Sequence, residues 1–168
     1  MITVRTMKNA ETAKEYFAKH LGRSEYYLEG SQVEVRWFGK GCTRLGLEPG
    51  SAVSQEAFER LCDNLHPLTG EPLTARHRSS DRRVGFDAVT SSLKSASIMA
   101  FVAGDSRLVT HRANMFPMPM TRLEQYAATR IRKGHRDEDR RTGEIVVATV
   151  THGASRALDP QLHSHFVV

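Results

Sequence analysis

The sequence has little of what marks a secreted or membrane-bound protein. Its 168 residues include two cysteines, Cys42 and Cys62, which form no CxxC pair and no disulfide framework. No apolar run approaches the ~20 residues that a membrane-spanning helix needs. The opening stretch, MITVRTMKNAETAKEYF, carries charges where a signal peptide requires an apolar segment. These absences predict a cytoplasmic protein that does not attach to a membrane.

The composition is that of a globular domain with a basic surface. Hydrophobic residues make up 39% of the chain and charged residues 26%, which is enough to build one core. The formal net charge is +5 and the pI is about 9.5, which favours a polyanionic partner such as nucleic acid, although many ordinary domains are equally basic. No repeat and no linker divides the chain, so residues 1–168 are expected to form a single domain.

Periodicity and turn residues predict the order of the elements. Strands are expected at Met1–Met7, Val33–Trp37, Val84–Thr90, Ile145–Thr151 and the run that ends in Phe166–Val168. Helices are expected at Ala10–Leu21, Ser54–Asn64, Leu93–Ala103, from about Asp105, and from Thr121 to Lys133. This order predicts an α+β fold in which helices pack against a central, largely antiparallel sheet.

Three stretches of the second half carry more specific expectations. The helix at Leu93–Ala103 is expected to be mostly buried, because it contains Ile98, Met99, Phe101 and Val102. The prolines at 117 and 119 must break or kink any helix that runs through them. The mixed charge run Arg130–Arg141 is expected to be a solvated loop, with a specific grip on DNA as the alternative.

A group of histidines near the end of the chain has the spacing of metal ligands. His163 and His165 are separated only by Ser164, so on a strand both side chains point to the same face. His152 closes the preceding strand, and Gly153–Pro160 between them is rich in turn residues. A hairpin return would bring the three imidazoles together around one ion, with coordination positions left for substrate. Because the chain has eight histidines, such a spacing can also arise by chance.

The letters around these histidines resemble the three-histidine motif of MobF-type conjugative relaxases, which belong to the HUH (His-hydrophobic-His) endonuclease superfamily. His152 is followed by Asp159–His165 and then by an apolar run, as in that motif. Further segments similar to the family are Trp37–Gly41 with Leu45–Leu47, Arg83–Asp87, Lys94-Ser95 and Val102–Asp105. The resemblance implies an N-terminal nicking domain with a relaxase-like fold. It also implies a metal-dependent transesterase that nicks and rejoins single-stranded DNA through a 5′-phosphotyrosine.

The resemblance also implies roles for individual residues. Tyr16, which lies at the edge of the apolar stripe of the first helix, takes the place of the nicking tyrosine, and Tyr26 and Tyr27 match the further tyrosines of the family. Asp87 takes the place of the strand aspartate, which either orients a ligand imidazole or accepts the phenol proton.

Basic residues near that strand are the candidates for contacts with DNA. They are Arg82, Arg83 and Lys94, whose side chains could bind phosphates as any basic side chain could. The hydroxyl run Thr90–Ser92 replaces the Ser-Ala-Pro-type turn of the family, with no evident consequence.

The implied cofactor is one divalent ion, Mg²⁺ or Mn²⁺ by the usual chemistry of the family, although imidazoles also suit Zn²⁺, Ni²⁺ or Co²⁺. The implied partners are single-stranded DNA at an origin of transfer, relaxosome proteins and a fused or separate helicase. Relaxase domains continue well past this motif, so the chain is expected to lack the C-terminal part that clamps DNA.

Two rival functions remain open. The first is a truncated relaxase-like module that binds DNA or metal without nicking. The second is a three-histidine metallohydrolase that uses a metal-bound water and has no need of Tyr16.

Overall fold

A computed structural model describes residues 2–21, 35–74, 83–115, 117–133, 136–155 and 157–168. The strands in these ranges are β1 (Ile2–Met7), β2 (Arg36–Phe38), β3 (Gly85–Ser91), β4 (Ala128–Lys133), β5 (Arg136–Arg141), β6 (Val147–Ala154) and β7 (Pro160–Val167). The helices are α1 (Ala10–Leu21), α2 (Gly41–Arg44), α3 (Gln55–Cys62), α4 (Lys94–Phe101), α5 (Ser106–Met115) and α6 (Pro117–Glu124).

Five strands form one antiparallel sheet in the order β1-β3-β7-β6-β2, while β4 and β5 form a separate two-stranded ribbon. The predicted α+β class with a central antiparallel sheet is therefore confirmed. None of the helices in the described ranges has both the length and the apolar character needed to cross a membrane.

Local signals place the two helices that cover one face of the sheet. The Asn9 side chain accepts a hydrogen bond from the N–H of Glu11 at 2.8 Å and starts α1, and Ser54 accepts one from Ala57 at 3.2 Å and starts α3. Phe17 of α1 and Phe58 of α3 stack with ring centres 3.8 Å apart, and both are buried. The helices therefore pack as a pair on one face of the sheet.

The alternation of β7 divides its side chains between the two faces of the sheet. Leu162, Ser164 and Phe166 are at most 2% exposed and point to one side, which we call the reverse face. His163 and His165 point to the other side, which we call the histidine face, because successive residues of a strand alternate. The pair α1 and α3 covers part of the histidine face, since Ala148 and Val150 of β6 pack in the same core cluster as Phe17.

The expectation that the Leu93–Ala103 helix is mostly buried is wrong. Helix α4 lies over β7 and buries Ser97 and Ala100, while Ile98, Met99 and Val102 are 42%, 50% and 67% exposed. The Ser97 hydroxyl accepts a hydrogen bond from the N–H of Leu162 at 3.0 Å. So close a contact between helix and strand requires small residues, and it turns the larger apolar side chains outward.

The predicted helix from Thr121 to Lys133 is also wrong. Helix α6 spans Pro117–Glu124. Its prolines are tolerated because they lie in the first turn of the helix, where an N–H group would have no hydrogen-bond partner within the helix. The chain then enters the β4–β5 ribbon, which takes in most of the run Arg130–Arg141 that was expected to be a loop. Helix α5 ends at Met115 and residue 116 lies outside the described ranges, so the break expected near the prolines stays a prediction.

The segment Trp37–Gly41 makes a tight connection at one end of the sheet. Gly39 has φ +106°, and a Cβ there would lie 2.2 Å from the carbonyl oxygen of Ile145, so only glycine fits. The buried carboxylate of Glu124 accepts hydrogen bonds from the N–H groups of Lys40 and Ile145 at 2.7 and 3.2 Å. Strand β2 itself starts at Arg36, later than predicted, and residues 33 and 34 lie outside the described ranges.

Candidate active site

Three histidines meet on the histidine face where β6 and β7 pair. His152 lies directly opposite His163, and Val150 lies opposite His165. The ring centres are 5.3 Å apart for His152 and His163, 5.6 Å for His152 and His165, and 5.2 Å for His163 and His165. The hairpin return expected from the sequence therefore brings the three imidazoles into one cluster.

Helix α1 and strand β3 bring two more polar side chains to this cluster. The phenol oxygen of Tyr16 lies 2.6 Å from Nδ1 of His165, and the Asp87 carboxylate oxygens lie 3.1 and 3.2 Å from the same nitrogen. The side chains of His165 and Asp87 are only 12% and 13% exposed, so the contact is shielded from water. The structure thus brings together Tyr16, Asp87 and His165, which lie far apart in the sequence.

The Asp87 carboxylate and a backbone carbonyl fix two of the three imidazoles. Asp87 sits beside Nδ1 of His165, and Nδ1 of His163 lies 2.9 Å from the carbonyl oxygen of Gln161. A carboxylate or carbonyl at one ring nitrogen is the usual way in which proteins orient a metal-binding imidazole, because it sets the tautomer and leaves the other nitrogen for the ion. His152 is buried at 3% exposure, next to a bulge of β6.

The donor set fits a divalent transition metal by its chemistry, while its spacing is slightly too wide. Two imidazoles that bind one ion at about 2.1 Å have ring centres roughly 5 Å apart, a little closer than the separations seen here. As the side chains stand, no three His, Cys, Asp or Glu residues in the described ranges have donor atoms placed to hold an ion. The rings must approach one another by a few tenths of an ångström, which is roughly the difference between the two spacings.

On the reverse face, buried polar contacts stabilise the strands that carry the histidines. The hydroxyls of Thr151 and Ser164 lie 3.0 Å apart across β6 and β7. Arg112 of α5 donates a hydrogen bond from Nη2 to the carbonyl oxygen of Thr90 at 2.9 Å, and burial lowers the pKa of its guanidinium. Thr151 and Arg112 were not among the residues expected at the site. The alternation of Thr151 and Ser164 with histidines along the strands was a signal for the hydroxyls, whereas no pattern pointed to Arg112.

The other residues expected at the site lie elsewhere or are not described. Lys94 is exposed, and its ammonium group donates to the carbonyl oxygen of Pro160 at 3.1 Å. Arg83 is exposed and lies over the ring of Phe86, 5.3 Å from its centre, on the reverse side of the sheet from Asp87. Tyr26, Tyr27 and Arg82 lie outside the described residues.

Comparison with known proteins places these features in one family. The family model described as TrwC relaxase matches residues 10–168. Two relatives from Escherichia coli, both called multifunctional conjugation protein TraI, are 33% identical and, in strain K12, 34% identical over all 168 residues of this chain. The chain spans only 9% of the length of each of these relatives.

Solved structures of the conjugative relaxase TrwC in complex with OriT DNA have the same fold. The metal-free complex superposes with a TM-score of 0.81 at 26% identity, and the metal-bound complex with 0.81 at 27%. Each comparison covers 99% of this chain but only 55% and 56% of the TrwC chain. The family model matches nearly the whole chain, and the alignment to TraI extends over its full length. The chain therefore belongs to the TrwC relaxase family.

Proposed function

We propose that this chain carries the DNA-nicking centre of a conjugative relaxase, a metal-dependent transesterase that acts on single-stranded DNA at an origin of transfer. The observation that carries the proposal is the contact of the Tyr16 phenol with His165 at 2.6 Å, inside the three-histidine cluster. A hydrolase that uses a metal-bound water has no need of a phenol at this place. The contact therefore supports tyrosine chemistry over hydrolysis.

The reaction begins with the phenol of Tyr16. Its oxygen attacks the phosphorus of one phosphodiester, the bond from phosphorus to the 3′ oxygen breaks, and a 5′-phosphotyrosine forms beside a free 3′-hydroxyl. The phenol gives up its proton in this step, and the leaving 3′ oxygen takes one up from solvent. The covalent bond to Tyr16 preserves the energy of the broken phosphodiester, so the reverse attack by a 3′-hydroxyl can rejoin the strand.

Asp87 has two roles open to it in this reaction. Its carboxylate lies 3.1 Å from Nδ1 of His165, which supports the role of orienting that imidazole. Acceptance of the phenol proton is the other role, since the same nitrogen is also in contact with Tyr16. Both roles need a negative charge at Asp87, so both predict slower chemistry when the carboxylate is replaced by an amide.

The residues that would hold the metal are His152, His163 and His165. A bound divalent ion would supply positive charge that polarises the phosphate and stabilises the charge that develops on its oxygens. Mg²⁺ or Mn²⁺ is the proposed ion, and Zn²⁺, Ni²⁺ or Co²⁺ are the alternatives that imidazole ligands also suit. The proposal is supported by the metal-bound structures of TrwC, of which one contains copper.

Contacts with DNA outside the reacting phosphate form a less specific part of the proposal. The net charge of +5 favours binding of a polyanion, and Arg82, Arg83 and Lys94 are candidates for phosphate contacts. Tyr26 and Tyr27 are candidates for a second strand transfer or for stacking on bases. Because the chain spans about half of the TrwC chains that it matches, a stronger grip on DNA is expected from a longer protein.

The test is covalent capture of the cleaved strand. The chain is incubated with Mn²⁺ and labelled single-stranded oligonucleotides tiled across the origin of transfer of the element that carries the gene, and SDS-stable adducts are counted. The wild type should form an adduct that depends on the metal, and Tyr16→Phe should form none. Tyr126→Phe is the matched control, because Tyr126 is 58% exposed and lies between two arginines away from the histidines.

Two results would contradict the proposal. One is the absence of an adduct from the wild-type chain at every oligonucleotide. The other is an adduct that survives in Tyr16→Phe and disappears in Tyr26→Phe, which would move the nucleophile to Tyr26.

A further inference from the structure

We infer that Ser91 is a catalytic residue whose hydroxyl donates a hydrogen bond to a non-bridging oxygen of the scissile phosphate. The inference rests on the proposed function, and it assigns a role to a residue of β3 that the motif around the histidines does not include. Ser91 is the last residue of β3 and pairs with His163, which in turn pairs with His152. The three residues form one row across three neighbouring strands.

All three side chains of this row point to the histidine face. Residues directly opposite each other in antiparallel strands project on the same side, and their Cβ atoms lie about 4.5–5.5 Å apart. Alternation along β3 also places Ser91 on the same side as Asp87, which contacts His165. Ser91 is therefore the residue of β3 that continues the histidine row beyond β7.

The backbone on both sides of Ser91 is held in place. The preceding residue, Thr90, accepts a hydrogen bond from Arg112 on the reverse face at 2.9 Å. The following residue, Ser92, donates its N–H to the carbonyl oxygen of Leu162 at 2.9 Å. With both neighbours fixed, only rotation about the Cα–Cβ bond is left to the Ser91 side chain, so little entropy is lost when its hydroxyl binds a ligand.

Ser91 does not cap the helix that follows it, which is the common structural role of a serine at such a position. A serine before a helix commonly caps it, but α4 begins with Leu93 at its N-cap position and has no side-chain cap. Within the described residues the Ser91 hydroxyl has no hydrogen-bond partner, and the residue is half-buried rather than sealed in the core. A hydroxyl donor thus lies beside the three imidazoles with its hydrogen-bonding capacity unused.

A phosphate bound at the histidine cluster and within reach of Tyr16 would place an oxygen near this hydroxyl. His163 and Ser91 are direct neighbours across the strands, so an oxygen close to the His163 ring lies within the reach of a serine side chain. The negative charge on the non-bridging oxygens rises as the phenol attacks. A donor fixed at that position therefore stabilises the transition state more than the ground state.

The experiment compares three variants in the adduct assay, once the wild-type nick site is mapped. Ser91→Ala should slow adduct formation on the order of 10- to 100-fold with little change in KM, somewhat less than the loss of a preorganised oxyanion-hole donor. Ser91→Thr, which keeps the hydroxyl on a strand residue, should restore most of the rate. Ser92→Ala is the matched control and should nick as the wild type does.

A second readout separates contact with the phosphate from a structural effect. The oligonucleotide is made with a phosphorothioate at the scissile position, and its two diastereomers are tested separately. Sulfur accepts hydrogen bonds poorly, so with one diastereomer the wild type and Ser91→Ala should react at similar rates, while with the other the difference between them persists. The affinity for Mn²⁺ and the midpoint of thermal unfolding should be the same in Ser91→Ala and in the wild type.

The results that overturn the inference are distinct from those that overturn the proposed function. An adduct from the wild type with an unchanged rate in Ser91→Ala removes the role of Ser91 and leaves that of Tyr16. A fall in Mn²⁺ affinity that matches the fall in rate would mean that Ser91 acts through His163, which also overturns the inference. No adduct from the wild type overturns the proposed function and this inference with it.

Discussion

The two faces of the sheet differ in what their residues do, although the residues alternate along the same strands. On β7 the histidine face carries His163 and His165, while the reverse face carries Leu162, Ser164 and Phe166, all of them at most 2% exposed. The first set converges with Tyr16 and Asp87, and the second set packs against helices. Candidate site residues and core residues therefore alternate along one strand, so substitutions of adjacent residues should have separable effects.

The largest effect on stability is expected at Phe166. Its ring is fully buried among Ala88, Met120 and Val147, and Phe166→Ala leaves a cavity there that costs about 3–5 kcal/mol in the free energy of unfolding. Urea unfolding followed by circular dichroism measures the loss, with Phe166→Leu as a milder control. A loss below about 1 kcal/mol would mean that the reverse face does not carry the stability of the sheet.

At His163, three residues before Phe166, we expect a large loss of metal affinity with little loss of stability. Loss of a residue that only hydrogen-bonds to a metal ligand lowers metal affinity roughly 10- to 100-fold. His163→Ala removes a proposed ligand itself, so the affinity for Mn²⁺ should fall by more than that. The residue is half-buried, so the unfolding midpoint of the metal-free chain should change little. Calorimetric titration measures the affinity, and His66→Ala serves as the control because His66 lies after α3, away from the cluster. An unchanged affinity would remove His163 from the metal site.

A smaller effect on chemistry is expected at Asp87. Asp87→Asn keeps the shape of the side chain but loses the charge beside His165, and adduct formation should slow about 10- to 100-fold while the fold is kept. The control is Asp63→Asn, because Asp63 pairs with Lys14 between α1 and α3 at 2.9 Å. A time course of adduct formation measures both variants. Equal rates in Asp87→Asn and the wild type would return Asp87 to a purely structural role.

The smallest effect concerns Cys42, in the core cluster that lies under the helices on the histidine face. The residue is fully buried, and burial raises the pKa of its thiol above the ordinary value of 9.0. Because the folded state then holds the proton more tightly than the unfolded state, stability is fully present below about pH 9 and is lost as the pH rises through the raised value.

The measurement is the free energy of unfolding of the wild type and of Cys42→Ala at pH 7 and at pH 10. These two pH values lie about one to two units on either side of the ordinary thiol pKa. The wild type should lose more stability than the variant over this interval. Identical pH dependence would show that the thiol is not shielded from water.

Local sequence was enough to predict the elements that carry the site. Asn9 and Ser54 start α1 and α3 as caps, and the spacing of His163 and His165 places both on one face of a strand. The hairpin that adds His152 follows from the turn residues between the two strands. These features depend on neighbours in the chain, so a sequence pattern is sufficient to find them.

Other parts of the fold depend on partners far away in the sequence and could not be predicted. Ile98 and Met99 looked like core residues, but α4 turns its small residues to β7 and leaves them exposed. The stretch after Glu124 looked helical, but Ala128–Lys133 finds a strand partner in Arg136–Arg141. Whether a side chain is buried and which strands pair depend on the partner that an element packs against. The local sequence does not specify which side of the element faces that partner.

The same division holds at the site. The residue types available could be read from the sequence alone: three histidines at strand spacing, a tyrosine on the first helix and an aspartate on a middle strand. The folded chain was needed to show that Tyr16 and Asp87 meet at the same nitrogen of His165, that Arg112 binds Thr90 from the reverse face, and that Ser91 continues the histidine row. These contacts depend on strand register, because a shift of β3 by one residue against β7 would turn Asp87, Thr90 and Ser91 to the opposite face of the sheet.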